Sequence, residues 1–149
     1  MSDTPEARLA AEGFDLPDPP KPAGLYVPVV RVGELLHLSG HISTTKGRLG
    51  DGLDVADGQR AARQATLALL ATVRRELGSL DKVARVVKAV GFVASTPDFD
   101  DQPQVMNGCS SMLITAFGEA GRSARSAVGV AALPLGVAVE IEAIFEAMS

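Results

Sequence analysis

Apolar residues recur at spacings of three and four between residues 57 and 77: Ala62, Ala65, Leu69, Val73 and Leu77. That period predicts an amphipathic helix, which Gly78 ends. The same period predicts a second helix from about Pro103, with Val105, Cys109, Met112, Leu113 and Ala116 on one face, ending at Gly118 or Gly121. Elsewhere the pattern is that of strands. Val27, Val29, Val30 and Val32 favour a strand over 26–32. Gly33-Glu34 suits a two-residue turn, and Leu35 to Ser39 predicts the returning strand, ending at Gly40. Residues 83–94 are apolar on both parities, as a central strand requires. A strand over 126–132, a turn at Pro134-Leu135-Gly136 and a last strand over 137–147 complete the series. In that last strand Val137, Val139, Ile141, Ala143 and Phe145 alternate with Ala138, Glu140, Glu142, Ile144 and Glu146.

Two stretches break these patterns. Residues 43–54 are polar, with Gly47, Gly50 and Gly52, and are expected to form a flexible loop. Residues 1–23 form an N-terminal arm distinct from a single domain over 24–149. Thr4-Pro5-Glu6 can start a short helix there, and Gly13 can end it. Pro17, Pro19, Pro20 and Pro22 then make the chain extended and unable to join a sheet. Two readings stay open: an arm strapped over the domain or a neighbour, or a loose tail. The domain's element order is ββαβαββ, an α+β fold with one sheet of about five strands. Two helices can cover only one face of such a sheet. The other face must meet water or another subunit.

A chain of 149 residues with 46% apolar and 21% charged residues suits one folded domain. Aromatic residues make up only 4%, and the net charge is −4, which argues against a nucleic-acid groove. No run is long and apolar enough for a membrane span, and no leader pattern is evident, so the cytoplasm is the expected compartment. The single cysteine, Cys109, sits on an apolar helix face and is expected in the core. His37 and His41 are four apart, but a strand would separate them by about 13 Å, so no metal site is expected. The glycines at 47–52 lack phosphate-loop spacing. Arg60, Arg63, Arg74 and Arg75 suit a solvated helix side.

Parity suggests where chemistry sits. Arg125, Ala127, Gly129 and Ala131 share one side of their strand, with too little volume for a core. Glu140 and Glu142 share the polar side of the last strand. The expectation is that the sheet face not covered by helices carries Arg125, Glu140 and Glu142 among small residues. A guanidinium in such a recess is either a fork for a carboxylate or phosphate, or half of an ion pair that neutralises an interface.

The same residues carry a resemblance. Arg125-Ser126-Ala127-Val128-Gly129-Val130-Ala131-Ala132-Leu133-Pro134, followed by Val139-Glu140-Ile141-Glu142-Ala143, resembles the C-terminal signature of the reactive-intermediate deaminase family, also called Rid, YjgF-like or endoribonuclease L-PSP-like. Tyr26-Val27-Pro28, Leu38-Ser39-Gly40, Val90-Gly91-Phe92-Val93 and Asn107 add to it, so that it covers roughly residues 24–147. The resemblance implies a chorismate-mutase-like fold, with one mixed sheet, two helices on one face, and assembly into a homotrimeric barrel with clefts between subunits. It implies site residues Tyr26, Ser39, Gly40, Asn107, Arg125 and Glu140, and no cofactor. Arg125 would grip a substrate carboxylate, and Glu140 would deprotonate a water that attacks an imine carbon. Gly40 N–H and the Tyr26 hydroxyl would hold the substrate. The pattern departs from the family at Ala127, where the deaminases usually have Cys and only the carbonyl survives, and at His41, often Gln. The arm and the 43–54 loop also look longer.

The leading reading is an imine or enamine deaminase acting on a small carboxylate-bearing intermediate. A non-catalytic trimeric binder of small carboxylates is the rival, favoured by loss of the thiol. An endoribonuclease is the third reading, disfavoured by the acidity and by the lack of a His/Lys cluster.

Overall fold

The computed structural model describes residues 3–149. Its elements are α1 (Pro5–Ala11), β1 (Val29–Val32), β2 (Leu35–Ile42), β3 (Arg48–Leu49), β4 (Gly52–Leu53), α2 (Val55–Leu77), β5 (Val83–Ala94), α3 (Gln102–Phe117), β6 (Ala124–Val130) and β7 (Val139–Ala147). Five strands form one mixed sheet in the order β1-β2-β7-β5-β6. Strands β5 and β6 run parallel, as their connection through α3 demands, and the other pairs are antiparallel. The α+β fold expected from the patterning is therefore present, with two small additions, β3 and β4, which pair with each other, while Leu49 of β3 also bridges Ser95 just beyond β5.

Helices α2 and α3 pack on each other and on one face of the sheet. That face contributes Leu36, Val86, Val93, Ile141 and Phe145 to the core, all fully buried. Helix α2 starts at a reciprocal cap: Asp57 N–H donates to Asp54 Oδ1 at 2.9 Å, and Asp54 N–H donates to Asp57 Oδ2 at 3.0 Å. It ends at Gly78, whose φ of 89° is the left-handed conformation that only glycine adopts without strain. The other face of the sheet has no helix. Val30, Val32, Leu35 and Val128 stand exposed on it. Among the described residues no helix is long and apolar enough to cross a membrane.

Helix α1 is not a loose tail. Thr4 Oγ1 accepts from Ala7 N–H at 3.0 Å. At the other end Gly13 N–H donates to Ala10 O at 3.0 Å and Phe14 N–H to Leu9 O at 2.9 Å, closing the helix C-terminus. Leu9 is fully buried in the core. The Arg8 guanidinium donates to Ala116 O at 2.6 and 3.1 Å, at the carbonyl end of α3 where a cation is favoured. Beyond Leu16 the prolines carry the chain over the domain without regular structure up to β1.

Several segments differ from the expectation: β1 begins at Val29 rather than at 26, and β7 at Val139 rather than at 137. Strand β2 does not end at Gly40 but continues to Ile42 through a bulge between Leu38 and His41, where Ser39 and Gly40 together oppose the single residue Glu142 of β7. Residues 43–54 are tied down rather than flexible. Leu49 is fully buried, and Gln64 Oε1 accepts from both Thr44 N–H and Thr45 N–H. Strand β6 begins and ends two residues before the predicted 126–132, so Arg125 lies within it.

Candidate functional site

Register decides which side chains share a face. Arg125 pairs with Ala89, and Ala89 with Ala143, so Arg125 lies on the helix-covered face. Glu140 pairs with Phe92, and Phe92 with Val128, on the opposite, open face. The expectation that Arg125, Glu140 and Glu142 share the uncovered face is therefore wrong. The small residues beside Arg125 do not mark a vacancy. Ala127 packs against the core. A Cβ on Gly91, the partner of Ala127, would overlap the Met106 thioether, and one on Gly129 would meet Gln102 and Ser95. Small side chains here let α3 approach the sheet.

Arg125 sits at the edge of this contact. Its Nη1 donates to Asn107 Oδ1 at 2.8 Å and to Ser110 Oγ at 3.1 Å, both on α3. Asn107 and Ser110 are three apart, so one helix turn presents both acceptors to one nitrogen. Among the described residues no carboxylate forms an ion pair with Arg125. The arrangement holds the guanidinium plane by one nitrogen and leaves Nε and Nη2 with no acceptor among the described residues. Among the described residues the interface-neutralising Arg–Glu pair does not form.

Glu140 lines a cavity of about 610 Å³ on the other side of the sheet, together with Tyr26, Ser39, Gly40, His41 and Ile42. Pro20, Lys21, Pro22 and Ala23 of the arm close one side, and Pro134 and Leu135 another. The bulge shapes its floor. A Cβ on Gly40 would overlap the Glu140 carboxylate, so glycine is what admits that side chain. Ser39 Oγ donates to Val27 O at 2.6 Å and Ser39 N–H to Pro28 O at 2.9 Å, which fastens the segment carrying Tyr26 beside the bulge. The Tyr26 hydroxyl accepts from Ala23 N–H at 3.4 Å. Burial, followed by the charge of nearby Glu142, holds the Glu140 carboxyl above its ordinary value of 4.5. A carboxyl in that state takes up a proton more readily than an exposed one.

His41 lies beneath the bulge and is buried. Nδ1 is 2.7 Å from Ser39 O, an atom that only accepts, so Nδ1 carries the proton. Nε2 then accepts from Thr72 Oγ1 at 2.8 Å. Burial pushes its pKa below 6.5, against the raising effect of the Ser39 carbonyl. The unfolded chain thus binds the proton more readily than the folded one. This contribution to stability is complete above about pH 6.5 and fades as pH falls. Urea unfolding of the wild type is expected to show lower stability at pH 5.5 than at pH 7.5. His41→Gln is expected to flatten that slope, and an unchanged slope would contradict the assignment. His37 points to the open face and is exposed, so the bulge puts the two histidines on opposite sides. Among the described residues no group of three or more His, Cys, Asp or Glu side chains could hold a metal ion.

The structure thus gathers the expected residues into two groups. Tyr26, Ser39, Gly40 and Glu140 meet in the open-face cavity. Arg125, Asn107 and Ala127 meet on the α3 side. Lys21, Ile42 and Leu135 line the cavity without having been marked by the sequence. For Leu135 the available signal was a non-glycine residue inside a Pro-Leu-Gly turn.

Comparison with known proteins fits this geometry. The chain is 43% identical over 157 aligned positions to Protein TCP17 of Trypanosoma cruzi, covering 98% of each. It is similar to the solved structure of Atu1372 from Agrobacterium tumefaciens, at 43% identity and a TM-score of 0.92, covering 97% of this chain and 93% of that one. It is also similar to Escherichia coli TdcF, solved with bound serine, at 28% identity and a TM-score of 0.60, covering 88% and 94%. The Endoribonuclease L-PSP family model matches residues 17–147, a span that includes Tyr26, the bulge, Asn107 and both C-terminal motifs. With its mixed sheet, its Arg125-to-Pro134 segment and its Glu140 strand, the chain belongs to the Endoribonuclease L-PSP family, to which RidA and YjgF-like proteins belong.

Proposed function

We propose that this protein is a homotrimeric imine or enamine deaminase, hydrolysing a small carboxylate-bearing intermediate to a 2-oxo acid and ammonia. The observation that carries this reading is Glu140, a partly buried carboxyl held above its ordinary pKa in a largely apolar cavity. Such a group suits general-base work on water. Arg125 supports it from the other side of the sheet, with donors left over and no carboxylate partner. The two groups lie on opposite faces of one chain's sheet, so one small molecule cannot touch both within a protomer. Assembly joins them in this proposal: the Glu140 cavity of one subunit faces the partner subunit's Arg125. The exposed apolar residues of the open face are the surface that such an assembly covers. TdcF, a relative, holds an amino acid with a carboxylate.

In the proposed step Glu140 accepts a proton as the water oxygen attacks the imine carbon, and the C=N electron pair moves to nitrogen. The proton on Glu140 passes to the amine nitrogen, and the carbinolamine then expels ammonia, its hydroxyl proton going to the departing nitrogen as the new carbonyl forms. One water is consumed, and no oxidant or reductant is needed. Ala127 favours a second reading, a non-catalytic binder of the same carboxylates, because the thiol usual in the deaminases is missing.

The test is release of ammonia and 2-oxo acid from imines generated in situ by an amino-acid oxidase, with RNA cleavage measured alongside. Accelerated imine hydrolysis without RNA cleavage is the expected result. Sedimentation is expected to give a trimer, and a monomer at micromolar concentration would remove the shared site. Carboxylate binding without hydrolysis would establish the binder.

A further inference from the structure

Within one protomer the Glu140 cavity offers far more room than the reacting carboxylate and imine need. Its volume of about 610 Å³ lies within the range of roughly 300–1,000 Å³ that suits much larger ligands. Away from Glu140 and the bulge its walls are mostly apolar, with Ile42, Leu135 and the prolines at 20, 22, 28 and 134, and Lys21 between two of those prolines as the charged exception.

Leu135 is the unexpected member. Its φ of 61° and ψ of 13° place it in the left-handed region, and among the described residues it is the sole non-glycine with positive φ. Leucine is strained there, whereas glycine is not. Core packing does not explain the choice, since the side chain is 71% exposed. Its neighbours in the turn, Pro134 and Gly136, would accept a glycine between them. Strain retained at the mouth of a cavity that holds the proposed base indicates a side chain in use. Pro20 and Pro22 of the arm supply another wall of the cavity.

We infer that Leu135, Ile42 and the prolines of the arm form an apolar subsite that selects the substrate's side chain. The substrate is then a 2-imino acid with a branched aliphatic or aromatic side chain, not one with methyl or hydroxymethyl. This rests on the deaminase reading for the reaction. Selection itself needs only the cavity. Leu135 acts as a specificity residue: it does not touch the proton transfer but sets which side chain is desolvated beside Glu140.

The experiment compares kcat/KM for imines generated from leucine or phenylalanine with that for the imine of alanine. The wild type is expected to favour the larger imines by about tenfold or more, the usual scale for discrimination by an apolar pocket. Leu135→Gly is expected to bring that ratio close to one while Tm stays level or rises, because the strain is relieved. Ile42→Ala, on a regular strand, serves as the second variant and is expected to lower the ratio too. A wild type without the preference, or a ratio unmoved in both variants, would overturn the inference. If no imine is hydrolysed, the deaminase reading fails separately, and calorimetry with 4-methyl-2-oxopentanoate and pyruvate decides the subsite. Tighter binding of the larger acid, lost in Leu135→Gly, supports it. Equal or absent binding of the two acids overturns it.

Discussion

Glu140→Gln is expected to cut imine hydrolysis by about 10²–10⁴-fold, the range attributable to a positioned proton acceptor. Gln has nearly the shape of Glu and still donates and accepts hydrogen bonds, but it cannot take a proton from water near neutral pH. Carboxylate binding is expected to survive, because Arg125 is untouched. Stability is expected to hold or improve at neutral pH, and the sign follows from the shift. A carboxyl whose folded pKa lies above its unfolded value penalises the folded state once ionised, as pH rises through the folded pKa. Gln removes that penalty. In the wild type the acid limb of kcat/KM is expected to report an apparent pKa above 4.5, in the direction set by burial and by Glu142. Full activity in Glu140→Gln would assign the base elsewhere while leaving the deaminase reading intact. Gly40→Ala should mimic the loss by another route, since its Cβ occupies the space of the Glu140 carboxylate.

The second large effect concerns Arg125. Arg125→Lys keeps the charge but loses the planar fork that pairs with two carboxylate oxygens at once. Affinity for small carboxylates is expected to fall by about 1.5–3 kcal/mol, the usual value of a hydrogen bond to a charged group. That is roughly ten- to 150-fold in Kd, read by calorimetry with a 2-oxo acid. Asn107 and Ser110 hold Nη1 at 2.8 and 3.1 Å, so the loss includes orientation as well as contact. Lys has one nitrogen for all these partners, and engaging Asn107 draws it away from the ligand. A Kd within twofold of wild type would make Arg125 a strut between β6 and α3.

Both long helices, the five main strands and the family were legible in the residues alone. The three-and-four spacing of Leu69, Val73 and Leu77 can only be a helix face, and the alternation from Val139 to Phe145 can only be a half-buried strand. The Arg125 and Glu140 segments were specific enough to identify the family without coordinates. Alternation, however, tells which residues share a side and not which side meets the helices. That depends on strand order and register, set by contacts remote in sequence, and so Arg125 lies under α3 rather than beside Glu140. Small residues carried the same ambiguity. Ala127 and Gly129 read as space for a ligand, a partner or water, whereas Met106 beside Gly91 and Gln102 beside Gly129 occupy it. The bulge at Ser39 and Gly40 inserts one residue and reverses every side chain beyond it, burying His41 and exposing His37. No local propensity announces that reversal, because it is a matter of pairing with the neighbouring strand, whose Glu140 carboxylate occupies the place a side chain at residue 40 would need.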